Sequence, residues 1–333
     1  MKSMQEKDIR PESLMNLKIP ALKHDIRYLR KKKTQFIKIN CPACGLSTCE
    51  HWSKKAGFNY EKCLNCRTIF MNPRATEGML QEFYLQSKNY KFWNKHIFPA
   101  SENVRKEKIF KPRLEKIIQL CKKYKIENGI LLEIGAAFGT FCEIAKDSGF
   151  FRKIIAVEPT PSLAYSCRAR GIDTIESTVE NLKIDKNSVD IIINFEVIEH
   201  LFNPLKFITQ SVDFLKRDGI FICTCPNGEG IGTLVLKEKA NYVNHEHLNY
   251  FNPFSIEMLL KNCGLSVLEI NTPGELDIDN LNNTLKENKT ILDKQIFIKH
   301  ILTNCSDNTK NNFQSFLKQN MLSSHLWIVG IKQ

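Results

Sequence analysis

Residues 130–140, ILLEIGAAFGT, constrain the fold more than any other stretch of the chain. Three apolar residues lead to an acid, Glu133. Gly135 and Gly139 then flank the small Ala137, and a helix-compatible run, FCEIAKDSGF, follows. The pattern predicts a buried parallel strand that stops at a tight turn and feeds a helix N-terminus. Small residues in such a turn let the backbone approach a ligand closely. An acid at the strand end suits a ligand that carries a positive group. A junction that uses glycine only to turn would look the same, so the rest of the chain must decide.

Downstream, strand and helix alternate. Strands are expected at 153–157, 172–175, 189–194, 219–224, 265–270 and 326–331, with helices at 161–170, 204–216 and 254–263. This rhythm predicts an α/β fold with a parallel sheet covered by helices on both faces. Ligands on such sheets lie at the carboxyl ends of the strands, where Glu133, Glu158, Asn194 and Thr224 stand. Residues 271–324 interrupt the last two strands with helical segments around 291–302 and 313–322. There Asp277 and Asp279 are expected as solvated acids at a helix start, with a substrate-facing role as the alternative.

Upstream, Cys41-Pro-Ala-Cys44 and Cys63-Leu-Asn-Cys66 are separated by eighteen residues. Each CxxC places two thiolates on one tight turn, and two such turns close a tetrahedral site, so Cys41, Cys44, Cys63 and Cys66 are expected to hold a structural zinc. Cys49 and His51 lie between the pairs and are the possible substitutes. Twelve cysteines without a secretory leader point to a reducing, cytoplasmic setting. No apolar run has transmembrane length. Residues 1–40 carry eleven Lys/Arg against four Asp/Glu, a large part of the chain's net charge of +12. The run 27–33 is expected as a solvated helix end, with nucleic-acid binding as the alternative. Of the aromatics in the helical stretch after the ribbon, Tyr84 and Tyr90 are read as packing or as a cover for a ligand.

The loop reads G-x-A-x-G without the third glycine of a dinucleotide site, and Glu133 would sit badly beside a pyrophosphate. S-adenosylmethionine fits better than NAD, because it carries an ammonium and a sulfonium, and Glu158 can accept both hydroxyls of its ribose. The segments LLEIGAAFGTF, AVEP, VDIIINFEVIEHLFNP, LKRDGIF and NHEHLNYFNPFSIEMLLKNCG resemble class I S-adenosylmethionine-dependent methyltransferases with an N-terminal zinc ribbon, which act on sugars and other small molecules. The resemblance spans about 40–271 and returns at 326–331.

It implies a Rossmann-like seven-stranded sheet, an arm at 1–36, a ribbon at 37–75, a helical linker or cover at 76–128 and a methyltransferase domain at 129–333 with an insertion at 272–324. It also implies that Glu133, Gly135, Ala137 and Gly139 hold the methionine end of the donor and Glu158 the ribose. Glu180 and Asn181 would lie by the adenine, and Asn194, Phe195 and Glu196 would line the floor. His247 and His200 are the candidate bases, with Glu246 or Glu199 orienting an imidazole. A metal pair of His245 and His247 has no clear third ligand. Asn244 stands where the sugar C-methyltransferases carry a tyrosine, which favours an oxygen acceptor over carbon. The expected acceptor is a nucleotide-linked sugar or glycan; RNA, or binding without catalysis, are the alternatives.

Overall fold

The computed structural model describes residues 4–126 and 128–333. The first three residues of the expected arm and Glu127 in the expected linker lie outside them. Seven strands form the central sheet: β4 (Ile130–Ile134), β5 (Lys153–Val157), β6 (Asp173–Ile175), β7 (Val189–Phe195), β8 (Leu215–Pro226), β10 (Leu265–Asn271) and β11 (His325–Lys332). Their order is β10-β11-β8-β7-β4-β5-β6. Pairing is parallel throughout β8-β7-β4-β5-β6, and β11 lies antiparallel to both β8 and β10. The inner strands read as continuous apolar runs because helices cover both faces. Leu131, Leu132, Ile191, Ile192 and Ile193 are wholly buried. Strand order reverses between β4 and β7, so their carboxyl ends splay apart and leave a crevice. The stretch 130–140 is therefore β4, a turn and the helix Thr140–Asp147.

The ribbon is not self-contained. Its strands β1 (Cys49–Lys55), β2 (Phe58–Cys63) and β3 (Ile69–Met71) form a meander, and a fourth strand, β9 (Asn249–Tyr250), pairs with β3. That fourth strand directly follows the NHEH motif. Arg74 locks the junction. It is fully buried, and its guanidinium donates to the carbonyls of Met71 (3.0 Å), Phe202 (3.3 Å) and Leu248 (3.0 Å). Asn252 Nδ2 donates to the Cys66 carbonyl at 2.9 Å, tying a ribbon knuckle to the same segment.

The arm is equally anchored. In its helix Ile19–Lys31, the buried Asp25 accepts from Ser87 Oγ (2.6 Å), Lys88 N–H (3.0 Å) and Asn89 N–H (2.8 Å), thereby capping the helix Lys88–Phe92. The basic run lies at the end of that helix, as expected, with Arg27, Arg30 and Lys31 exposed. Lys32 pairs with Glu82 at 2.6 Å, and Lys33 donates to the Gly57 carbonyl at 2.7 Å. Before it, Glu6 N–H donates to Asp279 (2.6 Å) and Asn283 Nδ2 to Glu6 (3.1 Å), so the arm meets the insertion helix Asp277–Glu287. Asp277 is buried, contrary to the expectation of a solvated acid. It accepts from Ser323 Oγ (2.5 Å), Ser324 N–H (2.8 Å) and Gln314 Nε2 (2.7 Å), pinning the insertion to the start of β11. The other insertion helices are Ile296–Asn304 and Asp307–Gln319. No helix among the described residues is long and apolar enough to cross a membrane.

Replacing Arg74 by Met would remove three hydrogen bonds to main-chain carbonyls, of which Leu248's keeps another donor, the Met71 N–H at 2.9 Å, at a cost of about 2–4 kcal/mol. Urea unfolding of Arg74→Met should show that loss, and a shift under about 0.5 kcal/mol would contradict the role given to this side chain.

Candidate active site

A cleft of about 2080 Å³ opens over the carboxyl ends of β4, β5 and β7. Its walls come from the arm, the helices between 77 and 113, the insertion helix Asp277–Glu287 and the NHEH loop. Of the residues expected at the donor, Glu133, Gly135, Ala137, Glu158, Glu180, Phe195 and Glu196 line this cleft; Gly139, Asn181 and Asn194 do not. Gly139 and Asn194 are set back in the fold, and Asn181 is exposed beside Glu180. Asn194 is wholly buried beneath the floor, with both amide atoms unpaired among the described residues.

The glycines answer to packing more than to ligand approach. At Gly135 (φ +81°) a Cβ would stand 2.7 Å from Val197 Cγ2, and at Gly139 (φ +72°) 3.0 Å from Cys167 Sγ. Ala137 is also left-handed (φ 48°), a strain of roughly 1 kcal/mol. Its N–H donates to Glu158 Oε2 at 2.9 Å, which fixes the turn against the end of β5. Glu158 Oε1 accepts from Thr160 N–H at 2.9 Å. Each carboxylate oxygen keeps a further lone pair, so the acid is oriented by backbone and still able to accept two hydroxyls. Glu133 is 4% exposed and accepts from Cys142 Sγ at 2.9 Å. Burial pushes its carboxyl up to about 8, against the opposing pull of Cys142 and Arg113. Such an acid gains most from a cation placed beside it. The donor set thus fits a ligand with an ammonium at one end and a ribose diol at the other.

Across the cleft, His200 and His247 meet edge to face, with ring centroids 4.7 Å apart. Burial lowers both below the ordinary histidine range: strongly for His247, where His200 adds to it, and for His200 against the opposing pull of Glu246. The pair is neutral near pH 7 and can take up a proton. His200 Nδ1 lies 3.0 Å from the Glu246 carbonyl and 3.1 Å from Tyr84 Oη. A carbonyl only accepts, so Nδ1 carries the hydrogen and Nε2 keeps the free lone pair.

The carboxylates divide differently from the expectation. Glu246 accepts from Asn89 Nδ2 (2.8 Å) and stands 3.8 Å from His245 Nε2, beyond hydrogen-bond reach, and only its backbone carbonyl reaches His200. Glu199, buried with both oxygens unpaired among the described residues, stands 4.0 Å from His200 Nε2. Burial and the charge of Glu196 hold it well above the usual carboxylate range. His245 gathers with Asp25 and Glu246, and His247 with Glu199 and His200, so the two histidines do not form one metal pair.

Tyr84 is the site residue that sequence reasoning placed only loosely. It comes from the helix Glu77–Gln86, and its hydroxyl occupies a histidine that the chain order leaves far away. Helical spacing signalled a packed face; nothing local signalled its partner. The Asn244 side chain accepts from the N–H groups of Glu246 (2.8 Å) and His247 (3.1 Å), closing the turn that presents both.

In the ribbon, Cys41, Cys44, Cys63 and Cys66 bring their sulfurs together. Cys41–Cys66 is 3.4 Å and Cys44–Cys63 3.5 Å. Tetrahedral zinc thiolate ligands stand about 3.8 Å apart, so this group could hold zinc. Cys49 and the exposed His51 stay outside it. Returning to the donor turn, Gly135→Ala should cost about 2–4 kcal/mol in urea unfolding, through the Val197 clash and left-handed strain together. Adding Val197→Ala should recover the steric share only. Full recovery would show that strain at 135 is negligible.

Residues 105–270 match the family described as a methyltransferase domain. A probable S-adenosylmethionine-dependent methyltransferase of Mycolicibacterium smegmatis is 28% identical over 139 residues, 41% of this chain and 52% of that protein. A ubiquinone biosynthesis O-methyltransferase of Dinoroseobacter shibae is 29% identical over 105 residues, 29% of this chain and 42% of that protein. A C-methyltransferase of Streptomyces niveus is 22% identical over 166 residues, 48% of this chain and 38% of that protein. The chain thus spans about half the length, or less, of these curated relatives. With the strand order, the glycine turn and the matched domain in agreement, the chain belongs to the class I S-adenosylmethionine-dependent methyltransferases.

Proposed function

We propose that the protein transfers a methyl group from S-adenosylmethionine to a hydroxyl or carbon of a small-molecule acceptor, a nucleotide-linked sugar or glycan. The observation that carries this reading is the pair of neutral, half-buried histidines facing the same cleft as Glu133 and Glu158. The donor supplies a methyl group activated by its sulfonium. Glu133 pairs with the donor's ammonium, Glu158 accepts its ribose hydroxyls, and Glu180 stands at the adenine rim. His200 Nε2, with His247 against its ring, takes the proton that the acceptor gives up. Tyr84 and the Glu246 carbonyl hold that imidazole in one tautomer. An O-methyltransferase and a C-methyltransferase among the relatives support an oxygen or carbon acceptor. The twelve free cysteines agree with a reducing, cytoplasmic setting.

Zinc at the four ribbon cysteines would cross-link β2 and the loops before β1 and β3. Through β9 it would steady the NHEH turn. Metal analysis should find one zinc per chain. Chelation should lower kcat more than it lowers donor affinity, since the donor turn lies on the other sheet.

A labelled-methyl screen over nucleotide sugars, glycans and RNA tests the activity, and absence of donor binding in calorimetry would end the proposal. His200→Ala and His247→Ala should each lower kcat about 10²–10⁴-fold with donor affinity kept within about twofold. Wild-type rates in both would remove the base assignment. Glu133 must be ionised to pair with the ammonium, and its carboxyl holds a proton up to about 8. Donor affinity should therefore rise between pH 6 and 7.5, by at most about tenfold per pH unit, and Glu133→Gln should abolish that slope.

A further inference from the structure

Opposite the strand ends, three cations enter the cleft from three separate elements. Arg10 follows the first turn of the arm, Lys18 precedes the helix Ile19–Lys31, and Arg105 ends the helix Phe98–Arg105. They are seated on a ladder of aromatic rings. Lys18 Nζ lies 5.1 Å from the centre of Trp93, Trp93 and Phe98 are 5.4 Å apart, and Arg105 lies 4.9 Å over Phe98. Phe98 in turn meets Phe138 of the donor turn at 5.9 Å. The ladder fixes the cations a short distance from the donor turn. Arg105 donates to Ser101 Oγ (2.9 Å) and to the Ile9 carbonyl (3.0 Å), which brings it beside Arg10 and leaves it without a carboxylate.

The charges are poorly balanced. The Lys18 ammonium meets no acceptor among the described residues, and burial, then Arg10, lowers its proton affinity. Burial, then Arg10 and Arg113, pulls Arg105 down to about 10. The acids nearest Lys18, Glu6 and Glu246, are already held, and Glu196, which acts on Arg105, accepts from Thr224 Oγ1 at 2.6 Å. Glu6 receives Arg10 (3.1 Å) and Asn283 (3.1 Å), and Glu246 receives Asn89 (2.8 Å). Arg10 also lowers the proton affinity of His247, after burial and His200, so the cluster lies within electrostatic reach of the candidate base. Two cations held down by burial, with Arg10 repelling both, are stabilised by an anion of more than one charge, which a diphosphate supplies and a neutral glycan does not.

We infer that Arg10, Lys18 and Arg105 form the seat for a phosphate or diphosphate group of the acceptor, which narrows the acceptor to phosphate-bearing compounds, nucleotide-linked sugars among them. The inference rests on the methyltransferase reading and assigns its acceptor side. The phosphate settles among the cations on the aromatic ladder, and the sugar extends toward His247 and His200.

The test is calorimetry on the full chain loaded with S-adenosylhomocysteine, titrated with uridine diphosphate, inorganic pyrophosphate and methyl glucoside. Uridine diphosphate should bind saturably and methyl glucoside should not. Pyrophosphate binding as tightly shows that phosphate alone is held, and weaker binding shows that the nucleoside is held as well; both agree with the inference. Arg10→Gln, Arg105→Gln and Lys18→Met should each weaken diphosphate binding about 10- to 100-fold, with S-adenosylhomocysteine affinity kept within about twofold. Lys18→Met removes no hydrogen bond of its side chain, so it reports even if an arginine variant fails to fold. The inference is overturned if neither diphosphate binds, if the variants bind it as the wild type does, or if they lose S-adenosylhomocysteine affinity instead, which would assign the cations to the donor. Failure of the methyltransferase reading is separate: the wild type would then not bind S-adenosylhomocysteine.

Discussion

The pairing of β3 with β9 is the contact on which the acceptor side depends. Two residues of the NHEHLNY segment complete a sheet begun by the cysteine ribbon, and Arg74 holds the seam by donating to carbonyls on both sides of it. The same segment reaches the methyltransferase sheet, because Leu248 N–H donates to the Glu199 carbonyl at 2.7 Å. His247 and His200 therefore meet because a ribbon strand and a Rossmann-like strand end are stitched to one short loop. The ribbon acts as a bracket for chemistry carried elsewhere.

Burial sets the protonation pattern of the cleft. Glu133 and Glu199 are pushed toward the neutral acid, and His200 and His247 toward the neutral base. On the proposed reading, this primes the donor side for an incoming cation and the acceptor side for an incoming proton. Both needs follow from removing ionisable groups from water at the ends of β4 and β7, with no exotic side chain involved.

Much of this was legible in the sequence. The α/β alternation and the switch-point crevice follow from apolar runs of strand length separated by helical patterns, and all seven strands stand within a few residues of their expected positions. The four cysteines were legible because CxxC spacing is itself geometric. What escaped reading is what long-range packing decides. Glu246 turns to Asn89 and His245 because the helix capped by Asp25 brings Asn89 there, 157 residues away in sequence. Asp277 looked like a solvated acid because its partners, Ser323 and Ser324, lie across the whole insertion. The left-handed Gly135 was legible as a turn, but its neighbour Val197 was not.

The roof of the cleft has a consequence for how the molecule is made. Glu6 is joined to Asp279 and Asn283, contacts that span 273 and 277 positions of chain. Closing such a loop is entropically slow, and during synthesis the arm must wait, with its apolar face open, until the insertion has emerged. The donor turn needs only neighbours within a single α/β stretch. The molecule is therefore expected to acquire its donor half early and its acceptor half last, an order in which a nascent chain could recognise the donor before it has any surface for an acceptor.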